Sequence, residues 1–194
     1  INQHFDDYKL MSNHNDFAGM VEEMTFPEDE PHYYFLNLGE THYPYMLKDE
    51  SLPRISGVHG VFKSLSGEAQ HNAADSEAFF DQEQMEMLRQ QQIRCVEYVD
   101  GLIGKLMKKA PENTWFIITA DHGEEFNDNG LNYWGHNGNF TDSQTHVPLL
   151  ILWPNEKPRQ QNGLTSHYDI TPTLIQQALG CRNPTADYSV GNNL

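Results

Sequence analysis

Strand, long helix, strand, strand, helix is the order of elements readable along the chain, and that order predicts an α/β sandwich, helices packed on a sheet. Three observations carry it. Residues 114–120 (TWFIITA) and 147–153 (VPLLILW) are apolar at nearly every position, as suits strands in the middle of a sheet covered on both faces. Between residues 85 and 110 the apolar positions recur at helical spacing. Two titratable clusters, GETHYPY at 39–45 and DHGEE at 121–125, directly follow apolar strand-like runs.

The first expected strand is HYYFLNL, residues 32–38, short, aromatic and bounded by Pro31 and Gly39. Residues 46–85 are polar, aperiodic and Gly- and Ser-containing, and read as a loop excursion or lid. The long helix follows, with Leu88, Val96, Val99, Ile103, Leu106 and Met107 as its expected apolar stripe and Asp100 as a structural hydrogen-bonding group on it. Lys108 and Lys109 sit where the helix dipole favours cations, and Pro111 stops the helix. The last helix is expected over 169–180, capped by Asp169 or Thr171, with Pro172 in its first turn and Gly180 ending it.

Acidic residues outnumber basic ones, 28 to 12, for a net charge of −16 among 194 residues. Such a surface repels nucleic acid and anionic membranes, so nucleic acid is not an expected partner. A bound cation inverts that field locally. Cys95 lies in the helical pattern as a buried thiol, and with only Cys181 beside it no disulfide framework is indicated. No run of about 18 apolar residues exists to span a membrane. The chain opens on Ile1 within polar sequence, which suggests an incomplete domain, part of a longer protein.

Ligands of open α/β sheets collect beyond the carboxyl ends of the strands. If the strands before GETHYPY and DHGEE are parallel, with the long helix as crossover, both clusters reach one edge. Asp121 and His122 offer a carboxylate oxygen and an imidazole nitrogen, a set suited to Zn, Mn or Mg and less to Ca, which prefers oxygen alone. Gly123 would let the backbone turn beside an ion. His136, after Gly135, can reach the same place from the next loop, and His42 from the first. By contrast His4, His14, His32, His59 and His71 read as surface or satisfied residues, while His146 and His167 stay open. Glu124 and Glu125 read as solvated carboxylates or as groups one shell behind a ligand. Tyr133 and Trp134 are as readily loop-packing residues as a substrate platform.

TWFIITADHGEEF, WGHNGNF, THVPLLILWP and TSHYDITPTLI, preceded by FLNLGETHYPY and the helix VEYVDGLIGKLM, resemble in their order the C-terminal motifs of the sulfatase-like branch of the alkaline phosphatase superfamily. The resemblance runs over residues 33–179 with 46–85 unassigned, which makes residues 1–194 the C-terminal portion of one such domain. It implies an alkaline-phosphatase-like α/β/α sandwich around a mixed, largely parallel sheet. The implied chemistry is metal-dependent hydrolysis or transfer of a phosphate or sulfate ester through a covalent intermediate. By the same resemblance Asp121 and His122 are metal ligands, and His42 and His136 contact the transferred group or assist the leaving oxygen.

The family's nucleophile and further acidic ligands lie upstream of everything matched, so this chain would hold at most half an active site and be inactive alone. No Cys-x-Pro-x-Arg signature occurs, and Thr41 and Thr119 do not occupy the nucleophile position. Within the branch the motifs look nearest to bacterial envelope phosphoethanolamine and glycerol-phosphate transferases and to the membrane-anchored sulfatase-like regulator of lipopolysaccharide synthesis. That likeness implies an extracytoplasmic envelope location, leaving the cytoplasm open, with a lipid headgroup as substrate and an anchor upstream. It also supplies a rival to the enzyme: a non-catalytic envelope sensor or scaffold binding lipid or protein partners.

Overall fold

The computed structural model describes residues 4–27, 29–48, 50, 82–130, 133–136 and 140–194. The chain divides into two units, one of Ile1–Pro111 with Thr119–Pro148, the other of Glu112–Ile118 with Leu149–Leu194.

In the first unit the opening helix α1, Phe17–Glu23, was not legible as an element of the polar N-terminal stretch. Asp16 caps it, accepting from Gly19 N at 3.0 Å. Lys48 pairs with the same carboxylate at 2.6 Å, and Asn15 Nδ2 donates to Met46 O at 2.8 Å. The Glu40 side chain, fully buried, accepts from Phe17 N at 2.6 Å. These bonds tie the segment before α1 to the one carrying residues 39–48.

Helix α2 runs Gln82–Lys109, so it takes in residues 82–85 of the stretch expected to be loop; residues 51–81 of that stretch lie outside the described residues. Its buried positions are Met85, Leu88, Cys95, Val99, Leu102 and Leu106. Val96 and Met107, expected in the stripe, are exposed instead, and so is Asp100. Steps of seven, four, three and four residues through Leu88, Cys95, Val99, Leu102 and Leu106 trace one face, and Val96 and Asp100 fall off it. Lys109 serves as more than a cation at a helix end: its Nζ donates to Val21 O at 2.8 Å and Glu22 O at 2.9 Å, satisfying carbonyls in the last turn of α1.

Strands β2, Glu125–Phe126, and β3, Trp134–Gly135, form an antiparallel hairpin in which Glu125 faces Gly135 and Phe126 faces Trp134. Short helix α3, Asp142–Thr145, follows. The core of this unit is the cluster Tyr45, Met85, Leu88, Cys95, Phe126 and Trp134, joined at its edge by Tyr43 and Leu47. Each large apolar side chain so buried contributes about 1.5–3 kcal/mol. The cluster welds the 43–47 loop, α2 and the hairpin together.

Residues 32–38, expected as a strand, form none, and Tyr33, Tyr34 and Phe35 are exposed. A strand needs a neighbouring ladder. Here the aromatic rings engage local partners instead: Tyr33 stacks on Phe5 at 6.0 Å, Tyr34 meets Phe26 edge-on at 5.4 Å, and the Tyr34 hydroxyl donates to Thr25 O at 2.7 Å.

β1, Phe116–Thr119, all but its last residue in the second unit, pairs with β4, Leu149–Leu152. Both were expected to be covered on two faces. Neither is fully buried, and Leu150 and Leu152 are exposed. Among the described residues the sheets have two strands each, rather than forming one large, largely parallel sheet. Trp115 and Trp153, flanking the paired strands, stack with ring centres 4.8 Å apart.

The last helical segment is composite: a 3₁₀ turn His167–Asp169, helix α4 Ile170–Thr173 and a π turn Leu174–Ala178. Ser166 is the N-cap, and Asp169 closes a capping box from three residues on, its Oδ2 accepting from Ser166 N at 2.7 Å. Asp169 Oδ1 also accepts from Asn192 N at 2.6 Å, and Thr173 Oγ1 from Leu194 N at 3.0 Å, so this turn anchors the chain's last residues. Gly180, at φ +66°, follows the segment as expected.

Candidate active site

Three loops of the first unit converge on one cluster of imidazoles. The first is folded by successive turns, His42 N to Gly39 O at 3.2 Å and Tyr45 N to His42 O at 2.8 Å, which lift His42 out of the chain path. Tyr45 ends that loop in the left-handed region, φ +57°, with its ring fully buried in the core cluster. A non-glycine residue held there is fixed by its packing, and its N–H bond to His42 O ties the loop backbone at His42, whose side chain is exposed, to that core.

The second loop follows β1 and carries Asp121, His122 and Gly123. Gly123 N donates to Gln144 O at 2.7 Å, and a Cβ on Gly123 would lie 2.1 Å from Ser143 O. The glycine is thus required by close approach of α3, a different reason from the tight turn beside an ion that its position suggested.

The third loop is the hairpin end. Because Glu125 faces Gly135, the next pair outward is Glu124 and His136. Gly135, at φ +111°, accommodates a turn that no side-chain-bearing residue adopts readily.

The rings of His122 and His136 stack 3.9 Å apart at 24°, and His42 meets His136 edge-on at 6.1 Å. The cluster therefore unites His42, His122 and His136, drawn from positions far apart in the chain. Each ring is tethered by Nδ1: His42 to Tyr43 O at 2.7 Å, His122 to Gly123 O at 2.9 Å, His136 to Glu124 Oε1 at 3.2 Å. Carbonyl and carboxylate oxygens only accept, so Nδ1 carries the proton and the lone pair of each neutral ring is on Nε2.

His122 Nε2 lies 3.7 Å from Asp121 Oδ1. Two donors about 2.1 Å from one ion at a tetrahedral angle are about 3.4 Å apart, so the pair suits shared ligation with little movement. An Nδ1–H held by a carbonyl is also how ligating histidines are oriented. The Asp121 side chain is 90 % exposed, open to an incoming ion. Among the described residues no group of three or more His, Cys, Asp or Glu side chains is arranged to hold a metal. Asp121 and His122 by themselves offer two donor atoms.

Behind the imidazoles the two glutamates part company. Glu125, read as solvated or one shell behind a ligand, is buried and structural: it accepts from Asn129 N at 3.1 Å, from Asn129 Nδ2 at 3.2 and 3.0 Å, and from Thr141 Oγ1 at 2.7 Å. Glu124 touches the cluster itself. Burial, and then the Glu124 charge, push the Tyr45 phenol far above its ordinary range, so it stays protonated. Asp128 braces the hairpin, accepting from Phe126 N at 2.8 Å and from Arg89 Nη2 at 2.6 Å, while the guanidinium lies 5.4 Å over the Phe126 ring. Burial raises the Asp128 carboxyl, but these donors outweigh it and hold the group below its usual range. Trp134 and Tyr43 meet edge-on at 5.0 Å within the core, so Trp134 packs the loop.

Elsewhere, His146 is exposed and its backbone N–H closes α3 on Asp142 O at 2.9 Å, while His167 belongs to the 3₁₀ turn of the second unit. His4, His14 and His32 are exposed, and His59 and His71 lie outside the described residues. The contact between Glu124 and His136 is what sequence reasoning missed. Its only signal was the Glu after Asp-His-Gly, twelve residues before a Gly-His.

Comparison with known proteins places this geometry in context. The model of the Sulfatase family matches residues 6–181. An uncharacterized protein of Haemophilus influenzae is 38 % identical over 102 residues, 52 % of this chain and 17 % of its own length. The uncharacterized sulfatase YidJ of Escherichia coli is 35 % identical over 88 residues, 43 % of this chain and 17 % of its own. The inner membrane protein YejM of Salmonella typhimurium is 33 % identical over 103 residues, 50 % of this chain and 16 % of its own. The matched region is thus about one sixth of each relative. No solved structure matches the chain.

Proposed function

The chain belongs to the sulfatase family, and from that premise we propose that it supplies metal-binding and group-transfer residues of an enzyme that cleaves or transfers a phosphate or sulfate ester. The observation that carries this reading is the convergence of His42, His122 and His136, each anchored through Nδ1, beside Asp121.

In this reading Asp121 and His122 hold a divalent ion, Zn, Mn or Mg, which when bound polarises an oxygen of the ester and neutralises its charge. His122 donates Nδ1–H to Gly123 O and presents Nε2 as the ligating atom. His42 and His136 face the transferred group, and one of them gives a proton from Nε2 to the leaving oxygen after acquiring it from solvent. The nucleophile, a hydroxyl or modified thiol, and the remaining ligands come from a segment of the whole protein upstream of these motifs. The positive charge that such an ion would bring lets a strongly acidic chain receive an anionic ester.

A second reading has one observation in its favour, the likeness to an inner membrane protein. On that reading the protein is an envelope sensor or scaffold that keeps the site's shape without turnover. No helix among the described residues is long and apolar enough to cross a membrane; envelope location and a lipid headgroup substrate remain part of the proposal.

The test uses the full-length protein: bound metal by elemental analysis and, on the same sample, p-nitrophenol release from phosphate monoester, phosphodiester and sulfate substrates, with Asp121→Ala as control. Metal and turnover that both disappear in the control support the enzyme. Metal without turnover on any of these esters favours the sensor. Unchanged metal content in Asp121→Ala would sink the ligand assignment.

A further inference from the structure

We propose that Glu124 is the positioning residue of this site, fixing the ring plane and tautomer of His136 so that Nε2 meets the reacting group. This deepens the proposed function and rests on the reading of His136 as a group-transfer histidine.

Glu124 is placed by the hairpin rather than by a flexible loop. The register that sets Glu125 against Gly135 sets Glu124 against His136, and Oε1 lies 3.2 Å from Nδ1. The glutamate side chain is only 6 % exposed and the imidazole 28 %. A carboxylate so far removed from water requires a compensating donor, and among the described residues His136 is its one ion-pair partner. Tyr45, immobile in the core with Met85, Leu88, Cys95, Phe126 and Trp134, forms the wall close to Glu124.

The other two imidazoles are tethered to backbone carbonyls, which hold a ring but carry no charge. Among the described residues His136 is the one of the three whose Nδ1 meets a carboxylate; the Asp121 carboxylate lies on the Nε2 side of His122, at 3.7 Å. That difference singles it out: a carboxylate that accepts from Nδ1–H fixes the proton there and leaves Nε2 as the atom that exchanges a proton with the reacting group. His122, stacked face to face with His136, then blocks rotation of the ring about its Cβ–Cγ bond.

A purely structural Glu124 is distinguished by its isostere. Glutamine has the same shape, but its amide can donate to Nδ1 and so select the wrong tautomer. In the full-length protein Glu124→Gln is expected to lower kcat by between about 10-fold and 10⁴-fold, with KM within about twofold and bound metal unchanged. Selective ¹⁵N-histidine labelling, with His136→Gln to assign the resonance, is expected to show His136 protonated on Nδ1 in the wild type and shifted towards Nε2 protonation in Glu124→Gln. A kcat within twofold of wild type, or a wild-type ring protonated on Nε2, overturns the assignment. If the wild type turns over no ester, the functional reading fails, and the nitrogen spectra still decide whether Glu124 sets the tautomer.

Discussion

The imidazoles of His122 and His136 lie face to face, ring centres 3.9 Å apart. One follows β1 and the other ends the hairpin, so their stacking joins the loop proposed to hold a metal to the loop proposed to handle protons. His42 completes the group from a third loop at 6.1 Å. This division of labour makes separable predictions.

His42→Ala in the full-length protein should lower kcat by about 10²–10⁴-fold while bound metal, measured by elemental analysis, stays at the wild-type level. His42 Nδ1 is committed to Tyr43 O, and the residue contacts the cluster through His136 rather than Asp121. Parallel loss of metal and turnover would instead make His42 a ligand.

Arg89→Met should loosen the hairpin. It removes the 2.6 Å pair with Asp128 and the guanidinium over Phe126. Both partners of the pair are part-exposed, so solvent screening limits the loss to about 1–2 kcal/mol in total. Urea unfolding at low and high salt checks this: the gap to wild type should narrow as salt rises, and a gap insensitive to salt would assign the effect to packing alone.

Glu125→Ala should destabilise by about 2 kcal/mol, since it removes the bonds that Asn129 and Thr141 donate to a buried carboxylate. Thermal unfolding reads this directly. A change under 0.5 kcal/mol would return Glu125 to the solvated role its sequence suggested.

Asp169→Ala should cost about 1–3 kcal/mol and remove a component of acid sensitivity. The Asn192 N–H, followed against burial by Ser166, holds the Asp169 carboxyl below its usual range. A depressed folded value means stabilisation present above the unfolded value of about 3.9 and lost as pH falls through the folded one. Stability curves of wild type and Asp169→Asn measured from pH 6 downward should therefore converge in acid. Parallel curves across that range would contradict it.

The sequence by itself determined the family, through motifs in order. It also determined that β1, β4 and α2 exist, because long apolar runs and helical periodicity are local properties of the chain. The position of Asp121 and His122 just after a strand was legible for the same reason. The burial of Leu88, Cys95, Val99 and Leu106 was legible from the same periodicity, but the exposure of Val96 was not: it is the neighbour of Cys95, and only packing against Tyr45, Phe126 and Trp134 turned the cysteine and not the valine inward. Nor could an aromatic run at 32–38 reveal that it forms no strand, since a ladder belongs to two segments and the run has local aromatic partners instead. The contact of Glu124 with His136 depends on a hairpin register, and the meeting of three histidines on the closure of three loops over one core. Such relations are set by long-range contacts, which residue spacing does not encode.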